Sequence, residues 1–207
     1  MVTASTRLTP MAAMVLALLA EGDMHPYEMS RLLRIRRDDR IVKVTNGTLY
    51  HSVGRLLEMG LIAEVGTERD GNRPERTTYS LTAAGADVIS EWVRAALSHT
   101  EHPVAFRVAL AEAHDLERAE VTAALSMRSA ALAEEIQSYI DGLTAAREQA
   151  VPEQFLIEVD RQRALLEADL AWQRGFLDRL DAGKILWGPA GRTSSDRYRA
   201  QRKAAQL

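Results

Sequence analysis

The sequence predicts a mainly α-helical chain with one small β-hairpin, and three observations carry that expectation. Apolar residues recur at helical spacing through most of the 207 residues. Thr9-Pro10, His25-Pro26 and Thr82 stand just before such stripes, where helix-start signals belong. One stretch, 61–81, instead alternates and turns around Asp70-Gly71 as a hairpin does.

Composition sets the bounds. A hydrophobic share of 46% with 27% charged residues fits a globular chain that buries a core. No run approaches the roughly eighteen apolar residues of a membrane-spanning helix. The opening MVTASTRLTP lacks the basic-then-apolar pattern of a secretion signal. With no cysteine there are no disulfides, zinc ribbons or thiol chemistry, and a cytoplasmic location is expected. The net charge of −3 hides a division. Residues 1–85 hold 11 Lys/Arg against 10 Asp/Glu, residues 86–187 hold 10 against 18, and the last twenty hold 5 against 1. A polyanion is therefore expected to meet the N-terminal part and to be repelled by the middle.

The elements follow in order. In the first helix Met14, Val15, Leu18 and Leu19 form the buried face, and Glu21-Gly22 end it. In the second, Met29, Leu32 and Leu33 point inward, with Arg31 and Arg34 outward. Residues 35–44, IRRDDRIVKV, read as a loop with a short extended stretch at 41–44. The third helix, over 45–59, has Leu49, Val53, Leu56 and Leu57 as its core stripe. Thr48, His51, Ser52 and Arg55 are expected to share the opposite, exposed face. Gly54 costs that helix about 1 kcal/mol against alanine, and close packing is expected to require it. The hairpin carries Arg69, Asn72, Arg73 and Arg76 at its tip. A fourth helix buries Val88, Ile89, Trp92, Val93, Ala96 and Leu97.

Three short helices, a hairpin and a further helix describe a winged helix-turn-helix. In that arrangement the helix after the turn enters the major groove and the hairpin tip reaches phosphates or the minor groove. The expected DNA contacts are Thr48, Tyr50, His51, Ser52 and Arg55 on the third helix, with Thr45 and Asn46 near its start reaching phosphate. Arg36, Arg37 and Lys43, with Asn72, Arg73 and Arg76 in the wing, are expected to add sequence-independent attraction.

Beyond residue 98, 117–149 and 153–181 read as two long helices separated by Val151-Pro152. Val121, Leu125, Leu132, Ile136, Tyr139 and Leu143 stripe the first; Leu156, Val159, Leu166, Leu170, Leu177 and Leu180 stripe the second. Arg128 and Arg163 interrupt these near-heptads, so no ideal zipper is expected. The two helices either pair copies of the chain or pack on each other within one. A homodimer is expected, because a single reading helix contacts too few base pairs to discriminate in a genome, and two-fold pairing doubles them. The expected division is 1–98 for the DNA-binding domain, 99–187 for a helical dimerisation domain and 188–207 for a disordered basic tail.

NGTLYHSVGRLLEMGLI, followed by GNRPERTTYSLTAAGADVISEW, resembles the PadR family of transcriptional regulators of the long C-terminal type. The likeness covers 8–97 and extends more loosely over 104–183. It implies a dimeric DNA-binding regulator, usually a repressor and often released by a small molecule. One departure is His51, where that family often has proline.

Other chemistries are weighed against this. His99, Glu101, His102 and His114 invite a metal site, but cysteine is absent and no fixed carboxylate partner is evident, so none is expected. No phosphate loop, nucleophile elbow or acid–base pair stands out, so neither an enzyme nor a cofactor is expected. Trp92 is a candidate wall for an effector pocket, against the plainer reading of a packing residue. The rival functions are a winged-helix protein-interaction scaffold, betrayed by a lack of salt-sensitive DNA binding, and a regulator of the MarR-like type.

Overall fold

In a computed structural model the described residues are 8–68, 76–188 and 196–206. Among them are eight α-helices and one hairpin; the first three helices, the hairpin, a fourth helix and two long helices follow the expected order. Helix α1, Pro10–Ala20, starts where Thr9 Oγ1 accepts the Ala12 N–H at 3.2 Å. Helix α2, Pro26–Ile35, is capped by His25, whose Nδ1 accepts the Tyr27 N–H at 3.0 Å. Both have proline in the first turn, where a missing N–H costs nothing. Helix α3 spans Asn46–Glu58, strands β1 and β2 span Ile62–Glu68 and Arg76–Leu81, and helix α4 spans Ala83–Ser98.

The α1 stripe is wider than its spacing predicts. Every residue from Met11 to Leu19 is buried, because α3, α4, the helix following α4 and strand β2 all pack around it. Sequence periodicity underestimates a helix at the centre of a domain, which has no solvent side. The loop 36–44 holds a 3-10 turn, Asp38–Arg40, and no strand at 41–44. Alternation alone does not make a strand when no partner edge lies beside it.

The hairpin is antiparallel, pairing Ile62 with Leu81 and Glu68 with Arg76, with a bulge between Glu64 and Gly66. Its base is clamped to α4. Thr82 Oγ1 donates to the Gly60 carbonyl at 2.9 Å and accepts the Gly85 N–H at 3.1 Å, while the Thr82 N–H donates to the Leu61 carbonyl. Gly85 is required there: a Cβ would stand 2.1 Å from the Leu61 carbonyl oxygen.

Helix α5, Pro103–Glu112, was not resolved by sequence reasoning as a separate element. It runs into a 3-10 turn, Ala113–Asp115, before helix α6, Arg118–Glu148, and helix α7, Ile157–Asp181. The two long helices lie against each other within the chain, joined by Leu132, Ile136 and Leu170. Arg128, the interruption in the α6 stripe, is buried. Its guanidinium lies 3.7 Å over the Phe106 ring, donates to Asp169 Oδ2 at 3.0 Å and to the His99 carbonyl, and so ties α4, α5, α6 and α7 together. Arg163 is satisfied within α7 by Asp160 and Glu167. No helix among the described residues is long and apolar enough to cross a membrane.

The expectation of a disordered tail over 188–207 is corrected for its end, where helix α8 spans Asp196–Gln206 and lies against α2. Ala205 is buried, and Arg202 donates to the carbonyls of Glu21 at 2.8 Å and Asp23 at 3.2 Å. Composition hid this because the segment is polar and orders through one arginine satisfying carbonyls past the end of α1.

Candidate nucleic-acid interface

Helix α3 owes its start to Thr45. Thr45 Oγ1 accepts the Thr48 N–H and Thr48 Oγ1 accepts the Thr45 N–H, both at 3.1 Å, which makes a reciprocal capping box. The two hydroxyls expected to meet DNA are therefore already engaged in the cap. Asn46 and Gly47 stand exposed just inside it, where first-turn N–H groups and the helix dipole favour an anion.

Leu49, Ser52, Val53 and Leu56 face the core. Ser52 is thus a correction: it is 7% exposed and its hydroxyl donates to the Thr48 carbonyl at 2.8 Å. At about 100° per residue, position 52 lies on the flank next to 49 and 56, and back-bonding lets a serine be buried there. The side turned away from the core carries Gly47, Tyr50, His51, Gly54, Arg55 and Glu58, all exposed. No hydrogen bond among the described residues engages the side chains of Tyr50, His51 or Arg55.

Gly54 does not answer to close packing either. Nothing lies within 4 Å of a Cβ built there, and at Gly47 the nearest such atom is Thr45 Oγ1 at 4.0 Å. Both glycines lie on the outward face seven residues apart. Sequence reasoning missed them as interface residues, although that i, i+7 spacing was available. A groove wall can approach the α3 backbone closely at both points.

The flanking cations divide. Arg36 closes α2 and holds Glu21 at the end of α1, with Nη1 to Oε1 at 2.5 Å and Nη2 to Oε2 at 2.9 Å. It is a brace between two helix ends, with its side chain 17% exposed. Arg37 is exposed, with φ 65°. It occupies the left-handed position that ends α2, where glycine is commoner, and so turns its side chain outward. Lys43 is also exposed. Arg76 opens β2, whereas Asn72 and Arg73 lie outside the described residues.

The wing lies beside the reading helix. Helix α3 packs against β1, which sets the hairpin beside it. Near α4, Trp92 borders a cleft of about 660 Å³ with Leu8, Pro10, His99 and Val104 among its walls. Trp92 itself is 7% exposed, so it packs while lining the cleft edge.

A three-helix core, a helix with an unengaged polar face and a two-stranded wing at its side define a winged helix-turn-helix. Residues 15–91 match the family described as Transcriptional regulator PadR-like family. That match lies within the reading head and does not extend to the long helices α6 and α7. No curated protein matches the chain. Among solved structures it is similar to Bacillus subtilis PadR in complex with operator DNA, at 14% identity over 82% of this chain and 98% of that one, TM-score 0.39. It is also similar to smu.1604c from Streptococcus mutans UA159, at 15% identity over 81% of this chain and 98% of that one, TM-score 0.38.

Proposed function

We propose that this chain is a sequence-specific repressor that binds operator DNA as a homodimer and is released by a small-molecule effector. The observation that carries the reading is the outward face of α3, where Tyr50, His51 and Arg55 have no hydrogen-bond partner among the described residues and two glycines leave the backbone bare. Arg55 reads a base edge, since guanidinium pairs bidentately with guanine. Tyr50, Asn46 and the first-turn N–H groups hold phosphate, and Arg37, Lys43, Arg73 and Arg76 supply attraction independent of sequence. Thr45 and Thr48 serve by fixing the start of the helix.

Residues 1–98 act as the reading head and 99–187 as the pairing half. In support, α7 and its approach leave Phe155, Ile157, Leu165 and Trp172 between 44% and 66% exposed, apolar side chains that a second copy would cover. Two copies set the reading helices about one turn of duplex apart, ~34 Å. An effector in the cleft beside Trp92 acts only through different affinity for two spacings of the heads.

The test is a selection from random duplex DNA, followed by binding across a salt series and light scattering of the free protein. A preferred fragment, a steep salt dependence and a dimer mass are expected. A stable monomer at micromolar concentration would overturn the pairing, and salt-insensitive binding to protein alone would favour the scaffold alternative.

A further inference from the structure

Sequence reasoning considered His114 together with His99 and His102, and set a metal aside for lack of a fixed carboxylate. The structure groups His114 differently. Helix α5 ends at Glu112 and tightens into the 3-10 turn Ala113–Asp115, which brings Glu112, His114 and Asp115 close together. One donor atom from each lies within 4.8 Å of the others.

The imidazole is already oriented. His114 Nδ1 lies 2.9 Å from the Ala111 carbonyl oxygen, which can only accept, so Nδ1 carries the proton and Nε2 keeps its lone pair. A backbone carbonyl holding the remote ring nitrogen is the usual way a metal-binding histidine is fixed. Nε2 is 3.4 Å from Asp115 Oδ1. Two ligands of a tetrahedral ion with bonds of ~2.1 Å stand about 3.4 Å apart, so this pair is at ligand spacing already.

The third donor is a carboxyl held without a hydrogen bond among the described residues. Glu112 and Asp115 line a cavity of about 150 Å³ whose other walls include Ala20, Leu81, Ile89 and Val93.

We propose that Glu112, His114 and Asp115 bind one divalent first-row transition-metal ion, through two carboxylate oxygens and His114 Nε2, with water in the remaining position. A set of oxygen and imidazole donors without thiolate suits zinc, nickel or manganese rather than soft monovalent ions. With side-chain exposures of 42% for His114 and 22% for Asp115, an ion reaches the site from solvent. The bound ion sits at the end of α5, beside the cavity that Ala20 of α1 and Ile89 and Val93 of α4 also line.

Calorimetric titration of untagged, full-length protein with zinc chloride near neutral pH tests this without DNA, so its failure leaves the regulator reading untouched. One ion per chain is expected. Glu112→Gln, which keeps the shape, and His114→Ala, at a half-exposed position, should each weaken binding roughly tenfold or more, with circular dichroism unchanged. His99→Ala should bind as wild type does. No saturable zinc binding, or binding equally tight in both site variants, overturns the proposal.

Discussion

Alanine at two glycines separates the packing of the wing from the surface of the reading helix. At Gly85 a new Cβ would stand 2.1 Å from the Leu61 carbonyl oxygen and 2.7 Å from Leu81 Cδ1. An ordinary carbon–oxygen contact is more than an ångström longer, so α4 must move off the hairpin base or the Leu61 peptide must turn. Either motion strains the bond from the Thr82 N–H to Leu61, now 3.1 Å. Overpacking costs about 1–3 kcal/mol, and a backbone obstacle puts this site at the upper end. Alanine returns about 1 kcal/mol of helix propensity. The net expectation is a loss of about 2 kcal/mol. At Gly54 the same substitution meets nothing within 4 Å, so only the propensity gain of about 1 kcal/mol remains. Urea unfolding of both variants gives the two numbers, with equal slopes showing that the denatured states match. If Gly85→Ala proves as stable as wild type, the close approach of α4 to Leu61 is wrong. If Gly54→Ala is destabilised, the bare outward face of α3 is wrong.

The remaining predictions concern charge. Arg36→Ala should lower stability through loss of the Glu21 brace while leaving the salt dependence of DNA binding unchanged; Lys43→Ala should do the reverse, reducing the salt slope by about one ion, as equilibrium binding across a salt series would report. Asp38 is raised above its ordinary 3.8, mainly by burial and then by Asp39 and Glu21 against the lowering pull of Arg36 and Arg40. The folded state therefore holds that proton more tightly than the unfolded chain. This contribution is fully present below about 3.8 and lost as pH rises through the folded value. Asp38→Asn should flatten that part of the stability-versus-pH curve, measured by thermal unfolding in a buffer series. Arg128→Met should keep the volume but release the ties to Asp169 and His99, and a loss of about 1–3 kcal/mol is expected, since Asp169 is 31% exposed and regains water while the His99 carbonyl loses its donor.

Much of the reading head was legible because its signals are local. Thr9-Pro10, His25-Pro26 and Thr82 each became the helix start they looked like. The burial of Ser52 and the pairing of Arg36 with Glu21 depend on neighbours that residue type does not reveal: a core on the helix flank, and the end of another helix fifteen residues earlier. Helix α5 escaped because its stripe is short and it follows a loop. The order in α8 rests on contacts of Arg202 some 180 residues back along the chain, and no window of sequence holds that information. The Glu112–His114–Asp115 group needed the 3-10 turn, since on a regular helix positions 112 and 114 point to different sides.

The central claim is that the outward face of α3 reads base edges. The most direct test compares wild type and Arg55→Ala on a fragment selected from random duplex and on its scrambled counterpart, at one fixed ionic strength. Wild type should prefer the selected fragment by roughly a thousandfold or more. The variant should lose about 1–3 kcal/mol on that fragment and little on the scrambled one. Equal losses on both duplexes, or no preference by wild type, would contradict the account.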